Sequence, residues 1–150
     1  MSEFRDLLLR ELDETGFSES LSEGQIAALE EHYQLLSAWN RKINLTSIRT
    51  IEDSVRRHYC ECLHFASLLR ERSEGVASSL LDAGSGPGFP GIPIALLLPE
   101  WRVALVESDR RKAVFLREAC RKLANTSVVC ERLQQVQTAA AWIVSRAVRP

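Results

Sequence analysis

Residues 80–91 read LLDAGSGPGFPG, an apolar run that ends in an aspartate and is followed by four glycines in eight positions. The segment VASSLLDA is typical of a short buried strand, and GIPIALLLP after the glycines is typical of a helix. Gly84, Gly86 and Gly88 would let the backbone turn tightly and approach a ligand without obstruction from a Cβ atom. The stretch therefore predicts a ligand-binding turn at the carboxyl end of a strand.

The pattern around this turn predicts a doubly wound sheet. WRVALVES, TSVVC and AWIVS are further strand candidates, and RRKAVFLREACRKLA is a helix candidate. Strands separated by helices indicate βαβ units with right-handed crossovers, and hence a parallel sheet covered on both faces. We therefore predict an α/β fold with a Rossmann-like core over residues 73–150.

The part of the chain before this core is predicted to be helical. Ser22 and Gln25 form a capping-box pattern, and a helix with apolar residues at three- and four-residue steps should run from there to about Asn40. A second helix is predicted over VRRHYCECLHFASLL. We expect residues 1–72 to pack on the core, so that both parts form one structural domain.

Composition describes a globular protein with one core. The chain has 150 residues, 45% of them hydrophobic and 26% charged, and a formal net charge of −1. No apolar run is long enough to span a bilayer, and the first residues, MSEFRDLLLRELDE, carry acids where a secretory signal would be apolar. We expect a cytoplasmic protein without a membrane partner, and any nucleic-acid contact must come from local basic faces.

The four cysteines, Cys60, Cys62, Cys120 and Cys130, include no CxxC pair. Because the sequence shows no export signal, we expect them to be reduced, mostly buried thiols. The alternation HxCxCxH over residues 58–64 looks like a metal site. On a helix, however, residues two apart point about 200° from one another, so four such ligands cannot converge on one ion. We expect no metal there.

The glycine-rich turn does not match two common phosphate-binding motifs, and this narrows the class of ligand that it is expected to bind. A nicotinamide dinucleotide loop would need glycine at the position of Phe89, and a P-loop would need a lysine that is absent here. The pattern present is DxGxGxG, with Glu107 at the end of the next strand, where a carboxylate can accept both hydroxyls of a ribose. This arrangement looks like the S-adenosylmethionine site of class I methyltransferases, although Glu107 could instead cap the following helix.

Five segments also resemble one family, RsmG, which is also called GidB. They are LSAWNRKINLTSIR, RRHYCECL, LLDAGSGPGFPGIPIALLLPEW, LVESDRRKAVFL and IVSRAV, in that order, and the resemblance covers residues 30–149. It implies a methyltransferase that uses S-adenosyl-L-methionine to methylate guanine N7 in small-subunit ribosomal RNA. Because N7 carries a free lone pair, no general base is required, and no catalytic residue is assigned.

The resemblance and the loop together give two sets of expected site residues. The expected cofactor contacts are Gly84, Ser85, Gly86, Gly88, Phe89, Glu107, Ser108, Leu133, Gln134 and Arg146. The expected contacts to the RNA, free or in the small ribosomal subunit, are Arg41, Lys42, Asn44, Arg56, Arg57, Arg111 and Arg146. Phosphate neutralisation by such groups gives affinity without sequence readout. A solvated helix face remains the alternative for Arg56, Arg57 and Arg111, and Trp39 and Trp101 are expected to be packing residues.

Several departures from the family pattern leave other functions open. Gln134 stands where the family usually has an acid, Trp142 where it has Asp, and Glu61 and Cys62 where it has Asp-Ser. Family members also continue past the SRA segment with further strands, and an open sheet edge is a liability. We therefore expect this chain to be a C-terminally truncated fragment; the alternative is that a partner covers the edge. We expect a monomer at full length. The alternatives are a class I methyltransferase with another substrate and a non-catalytic, ribosome-associated cofactor-binding module.

Overall fold

A parallel sheet forms the centre of the second half of the chain. The computed structural model describes residues 2–146, and its four strands lie in the order β3-β2-β1-β4. All three strand pairings are parallel, which confirms the predicted α/β sheet. The strands are β1 (Ser79–Ala83), β2 (Arg102–Val106), β3 (Thr126–Val129) and β4 (Trp142–Ser145). Because they are parallel, their carboxyl ends all lie at one edge of the sheet.

Two crossover helices connect β1 to β2 and β2 to β3, as predicted. Helix α5 (Gly91–Leu97) packs very closely on the sheet: a Cβ atom at Gly91 would lie 2.7 Å from Asp82 Oδ2 and 3.0 Å from Leu105 Cδ2. Helix α6 (Arg110–Ala119) begins at Asp109, whose Oδ1 accepts hydrogen bonds from the first turn. The tight seat of α5 fixes where the preceding turn can run.

The connection between β3 and β4 differs from the other two crossovers. Between β3 and β4 the chain forms only a 3-10 helix, Leu133–Gln135, because residues 130–141 lack an apolar helical repeat. Val136 and Ala140 from this segment pack against a small second cluster on the sheet. Ile143 on β4 remains 66% exposed.

The first part of the chain is helical, as predicted. Helix α2 begins after Ser22 with both hydrogen bonds of the capping box and ends at Asn40. The other elements are α1 (Glu3–Glu14), α3 (Ile51–Ser54), a π-helix (Val55–Cys60) and α4 (Glu61–Arg72). Their buried side chains join those of the sheet in one hydrophobic cluster that extends from Phe4 to Cys120.

The π-helix was not predicted, although the segment is helical as expected. The wider turn adds one residue to the repeat and changes the direction of the side chains that follow. Two neighbouring residues of the π-helix, His58 and Tyr59, contact Phe89 at ring-centroid distances of 4.3 Å and 5.1 Å. The π-helix thus brings the N-terminal segment to the turn after β1.

The predicted packing residues are confirmed. Trp101 is fully buried, and Trp39 packs edge-on against Phe115 and donates a hydrogen bond from Nε1 to Glu118 Oε2. All four cysteines are free thiols, and three of them are buried. Within residues 2–146, no helix combines the length and the apolar character needed to cross a membrane.

Candidate functional site

The turn after β1, residues 84–90, is called the glycine loop here. Gly84, Gly86 and Gly88 have φ values of 71°, 53° and 99°, all in the region that favours glycine. The loop is tied to the end of β2, because the N–H groups of Gly84 and Ser85 both donate to the carbonyl of Val106 at 2.9 Å. Its conformation is therefore fixed by backbone bonds at the carboxyl edge of the sheet.

Two glycines of the loop serve different purposes. A Cβ atom at Gly88 would lie 2.5 Å from Ile92 Cδ1, so this glycine allows the loop to meet α5. A Cβ atom at Gly86 would meet nothing within 4 Å. Gly86 therefore presents bare backbone to open space, which is the geometry that a closely approaching ligand requires.

Glu107 lies beside this open backbone. Its side chain is 8% exposed; Oε1 accepts a hydrogen bond from Gly86 N at 2.9 Å and Oε2 accepts one from Asp109 N at 2.8 Å. A carboxylate has about four lone-pair sites, so both oxygens keep acceptor capacity for a ligand hydroxyl. The cap of α6 is supplied by Asp109, which separates that role from Glu107.

Asp82 forms the floor of the glycine loop. It is fully buried; Oδ2 accepts a hydrogen bond from Gly91 N at 3.0 Å, whereas Oδ1 has no hydrogen-bond partner. Burial raises the pKa of Asp82 to about 7, and the nearby charge of Glu107 acts in the same direction. Asp82 is thus a buried carboxyl group beneath the glycine loop that was not among the site residues predicted from the sequence.

Phe89 points away from the open side of the loop. Its side chain is 3% exposed and stacks face to face on the His58 ring. The side chain of Phe89 therefore packs against the N-terminal helical segment. His58 Nε2 is 2.9 Å from Thr46 Oγ1, which links the glycine loop to the segment after α2.

Arg146 follows β4 but contacts the helices. Its Nη1 donates to His58 Nδ1 at 3.2 Å, and Nη2 donates to the carbonyl of Arg57 and lies 3.4 Å from Glu61 Oε2. Since an arginine only donates, His58 must accept at Nδ1 and carry its hydrogen on Nε2. Burial, reinforced by the charge of Arg146, lowers the pKa of His58 to about 4.

The remaining predicted cofactor residues follow the carboxyl ends of β2 and β3. Ser108 follows Glu107 and is exposed, as are Leu133 and Gln134 in the 3-10 helix after β3. Ser108 follows the end of β2, whereas Leu133 and Gln134 follow the end of β3. The glycine loop follows the end of β1, which is the neighbour of β2 in the sheet. The topology thus gathers them at one edge.

The predicted RNA-contact residues divide into paired and unpaired groups. Arg56 lies 3.5 Å from Glu11, so it forms an exposed ion pair within the protein. Arg41 instead lines a cavity of about 320 Å³ between α2 and the segment that follows it, together with Arg49, which is not among the expected contacts. The lining contains no Asp or Glu, and neither arginine has an ion-pair partner in residues 2–146. Lys42, Asn44, Arg57 and Arg111 are exposed.

Asn40 shapes the segment that carries this cavity. Its Oδ1 accepts hydrogen bonds from Leu45 N and Thr46 N, and its Nδ2 donates to the carbonyl of Thr46. Asn40 thus stabilises the turn that follows α2.

The residues of the HxCxCxH pattern lie apart. His64 Nε2 is 2.7 Å from Thr15 Oγ1, whereas His58 faces Thr46 and Arg146. Among residues 2–146, no three metal-ligating side chains are grouped as a metal site.

The chain is similar to proteins of one known family. Residues 25–150 match the family described as rRNA small subunit methyltransferase G. Two curated relatives carry the name ribosomal RNA small subunit methyltransferase G. The protein of Nitrosospira multiformis is 39% identical over 132 residues, which are 85% of this chain and 58% of the relative. That of Dichelobacter nodosus is 42% identical over 127 residues, 82% of this chain and 58% of the relative. The chain therefore spans about three fifths of these relatives' length.

Solved structures share the fold. A protein-L-isoaspartate O-methyltransferase from Plasmodium falciparum, in complex with S-adenosyl-L-homocysteine, matches with a TM-score of 0.52 and 14% identity over 91% of this chain and 66% of that chain. The plantazolicin methyltransferase BpumL matches with a TM-score of 0.50 and 15% identity over 78% of this chain and 49% of that chain. These likenesses support the class I methyltransferase sheet predicted from the sequence.

Proposed function

Because the chain belongs to the rRNA small subunit methyltransferase G family, we propose that it takes part in methyl transfer from S-adenosyl-L-methionine to guanine N7 in small-subunit ribosomal RNA. The cofactor contacts, the target atom and the RNA surface are all part of this proposal. The observation that carries it is the open backbone of Gly86 next to the carboxylate of Glu107.

The glycine loop fits the proposed cofactor. Bare backbone at Gly86 leaves space for a ligand, and Glu107 keeps acceptor capacity for the two hydroxyls of a ribose. When bound, the cofactor would supply an electrophilic methyl group on a positively charged sulfur. Leu133 and Gln134 would contact its adenine from the end of β3, with an amide in place of the usual acid.

The proposed reaction needs alignment rather than proton removal by the protein. The bound cofactor would supply its methyl group to the N7 lone pair, and the electron pair of the carbon–sulfur bond would stay with the departing thioether sulfur. Positive charge would pass from the sulfur to the purine, so the carboxylate of Glu107 would be a favourably signed neighbour. The chain's own contribution would be to orient the reactants, an effect that reaches about 7 to 11 kcal/mol in well-oriented systems.

The cavity between α2 and the following segment is the proposed RNA contact. Arg41 and Arg49 line it without a carboxylate, and Lys42 and Asn44 lie exposed beside them. Unpaired guanidinium groups match RNA phosphates in charge and hydrogen-bond geometry. The proposal gives Arg56 a smaller part, because Glu11 already neutralises it.

Transfer of a labelled methyl group from S-adenosyl-L-methionine to small ribosomal subunits that lack the modification tests the whole proposal. We expect label in N7-methylguanine, and less of it with a Glu107→Ala variant. Label in another base or in protein would assign a different substrate. Cofactor binding without any transfer would favour the non-catalytic module.

A further inference from the structure

A buried histidine of α2 contacts the glycine loop. His32 is 4% exposed; its Nε2 lies 2.8 Å from the carbonyl oxygen of Pro87, and its Nδ1 lies 2.8 Å from the Tyr59 hydroxyl. The ring also packs edge-on against Phe89 at a centroid distance of 5.2 Å. A side chain of the N-terminal helical segment therefore reaches the loop that follows β1.

The chemistry of the partners fixes the direction of both hydrogen bonds. Burial lowers the pKa of His32 to about 4, so the ring is neutral at pH 7 and has a single N–H group. A carbonyl oxygen only accepts, so the hydrogen must be on Nε2, and Nδ1 must accept from Tyr59. Burial raises the pKa of the Tyr59 hydroxyl, which keeps it protonated as that donor.

The held carbonyl belongs to the middle of the glycine loop. Pro87 stands between Gly86 and Gly88, which both have positive φ. Glycine-rich backbone has many alternative conformations, and each bond that limits them lowers the cost of ordering the loop around a ligand. A Cβ atom at Gly88 would lie 3.4 Å from His32 Nε2, so the ring also fills the space behind the loop.

We propose that His32 is a positioning residue for the cofactor: its Nε2–H holds the Pro87 carbonyl and thereby presents the Gly86 backbone to the ligand, while Tyr59 fixes the histidine tautomer. This inference rests on the proposed function in placing the cofactor on the glycine loop. It assigns to the N-terminal segment a role in cofactor binding besides any role in RNA contact.

A pair of amide substitutions separates the donor role from simple packing. In His32→Gln the side-chain amide can donate from near the Nε2 position, whereas in His32→Asn the shorter amide stays near Nδ1 and faces Tyr59. We expect His32→Asn to weaken S-adenosyl-L-homocysteine binding about tenfold, the effect of one lost hydrogen bond. His32→Gln should remain close to the parent in affinity.

Hydrogen exchange of the peptide covering residues 84–91 provides a readout without cofactor. We expect faster exchange of this peptide in His32→Asn but not in His32→Gln, with unchanged exchange of a peptide from α6 as a control for general unfolding. Equal loop exchange in His32→Asn and the parent would overturn the proposal, as would equal losses in both variants, which would indicate ring packing alone. If the parent does not bind the cofactor analogue, the proposed function fails, while the exchange data still test whether His32 holds the loop.

Discussion

Glu107 combines two tasks at the end of β2. It holds the glycine loop through Gly86 N and the start of α6 through Asp109 N, and the proposal adds ribose recognition. The sequence allowed the prediction that an acid after the second strand faces the ligand. It gave no sign of the two backbone bonds, because these depend on how closely two loops approach in space.

We expect a Glu107→Gln substitution to weaken cofactor binding at least about tenfold, because the amide can accept only at one of the two positions where backbone N–H groups now donate. Glu131→Gln is a suitable control, since Glu131 is exposed near the same edge of the sheet. Calorimetric titration of both variants with S-adenosyl-L-homocysteine measures the effect. Unchanged affinity in Glu107→Gln would remove Glu107 from the cofactor site.

Asp82 gives a pH-dependent prediction. Its pKa is raised to about 7 in the folded protein, mainly by burial, against an ordinary value of 3.8. The stability that it contributes is therefore fully present below about pH 4 and is lost as the pH rises through 7, by about 4 kcal/mol at most. We expect the free energy of unfolding of Asp82→Asn, minus that of the parent, to increase between pH 4 and pH 8.

Urea unfolding of both proteins across this range checks the prediction. The buried neutral histidines, His32 and His58, have the opposite dependence, losing stability as the pH falls from 6.5 towards 4, but they are present in both proteins and cancel. A difference that stays constant with pH would mean that Asp82 ionises in the folded protein with its ordinary pKa.

At the scale of elements, a glycine of the glycine loop can serve two purposes: it tolerates a positive φ, and it leaves space for a ligand. Gly86→Ala should cost about 1 to 2 kcal/mol of stability because its φ is +53°, and should also weaken cofactor binding by placing a methyl group in the open space. Gly16→Ala is the matched control: Gly16 has a φ of +74° and equally open surroundings in the turn after α1. It should lose similar stability but no affinity, and equal affinities of the two variants would show that no ligand approaches Gly86.

The start of α2 offers a second prediction at this scale. Ser22 Oγ accepts from Gln25 N at 3.1 Å, and Gln25 Oε1 accepts from Ser22 N at 2.8 Å. Ser22→Ala should lower the free energy of unfolding by about 1 kcal/mol, which chemical denaturation can measure. A thermally and chemically unchanged variant would mean that tertiary packing alone sets where α2 begins.

Some of these elements could be predicted from the sequence and others could not. The capping box, the apolar repeat of α2 and the four strands follow from local spacing, and the structure confirms them. The π-helix and the contact of His32 with Pro87 could not be predicted, because each depends on packing between segments far apart in the chain. His32 was the hardest to recognise, since a single histidine in an amphipathic helix has no distinctive pattern around it.

At the scale of the whole molecule, we expect the RNA to bind at a surface separate from the glycine loop. We expect the double substitution Arg41→Ala and Arg49→Ala to weaken RNA binding and to reduce the slope of log affinity against log salt by about two, one for each lost phosphate contact. The exposed residues Arg10 and Arg72, both replaced by alanine, provide a control of equal charge change. Equal effects of the two double variants would point to general charge rather than to this cavity.

The most direct test of the central claim is calorimetric titration of the chain with S-adenosyl-L-methionine, and separately with NAD. We predict saturable binding of the methyl donor at one site and no binding of NAD, because the glycine loop has Phe89 where a dinucleotide site needs glycine. Binding of NAD, or of neither ligand, would contradict the assignment of the glycine loop and Glu107 as a methyl-donor site in this chain.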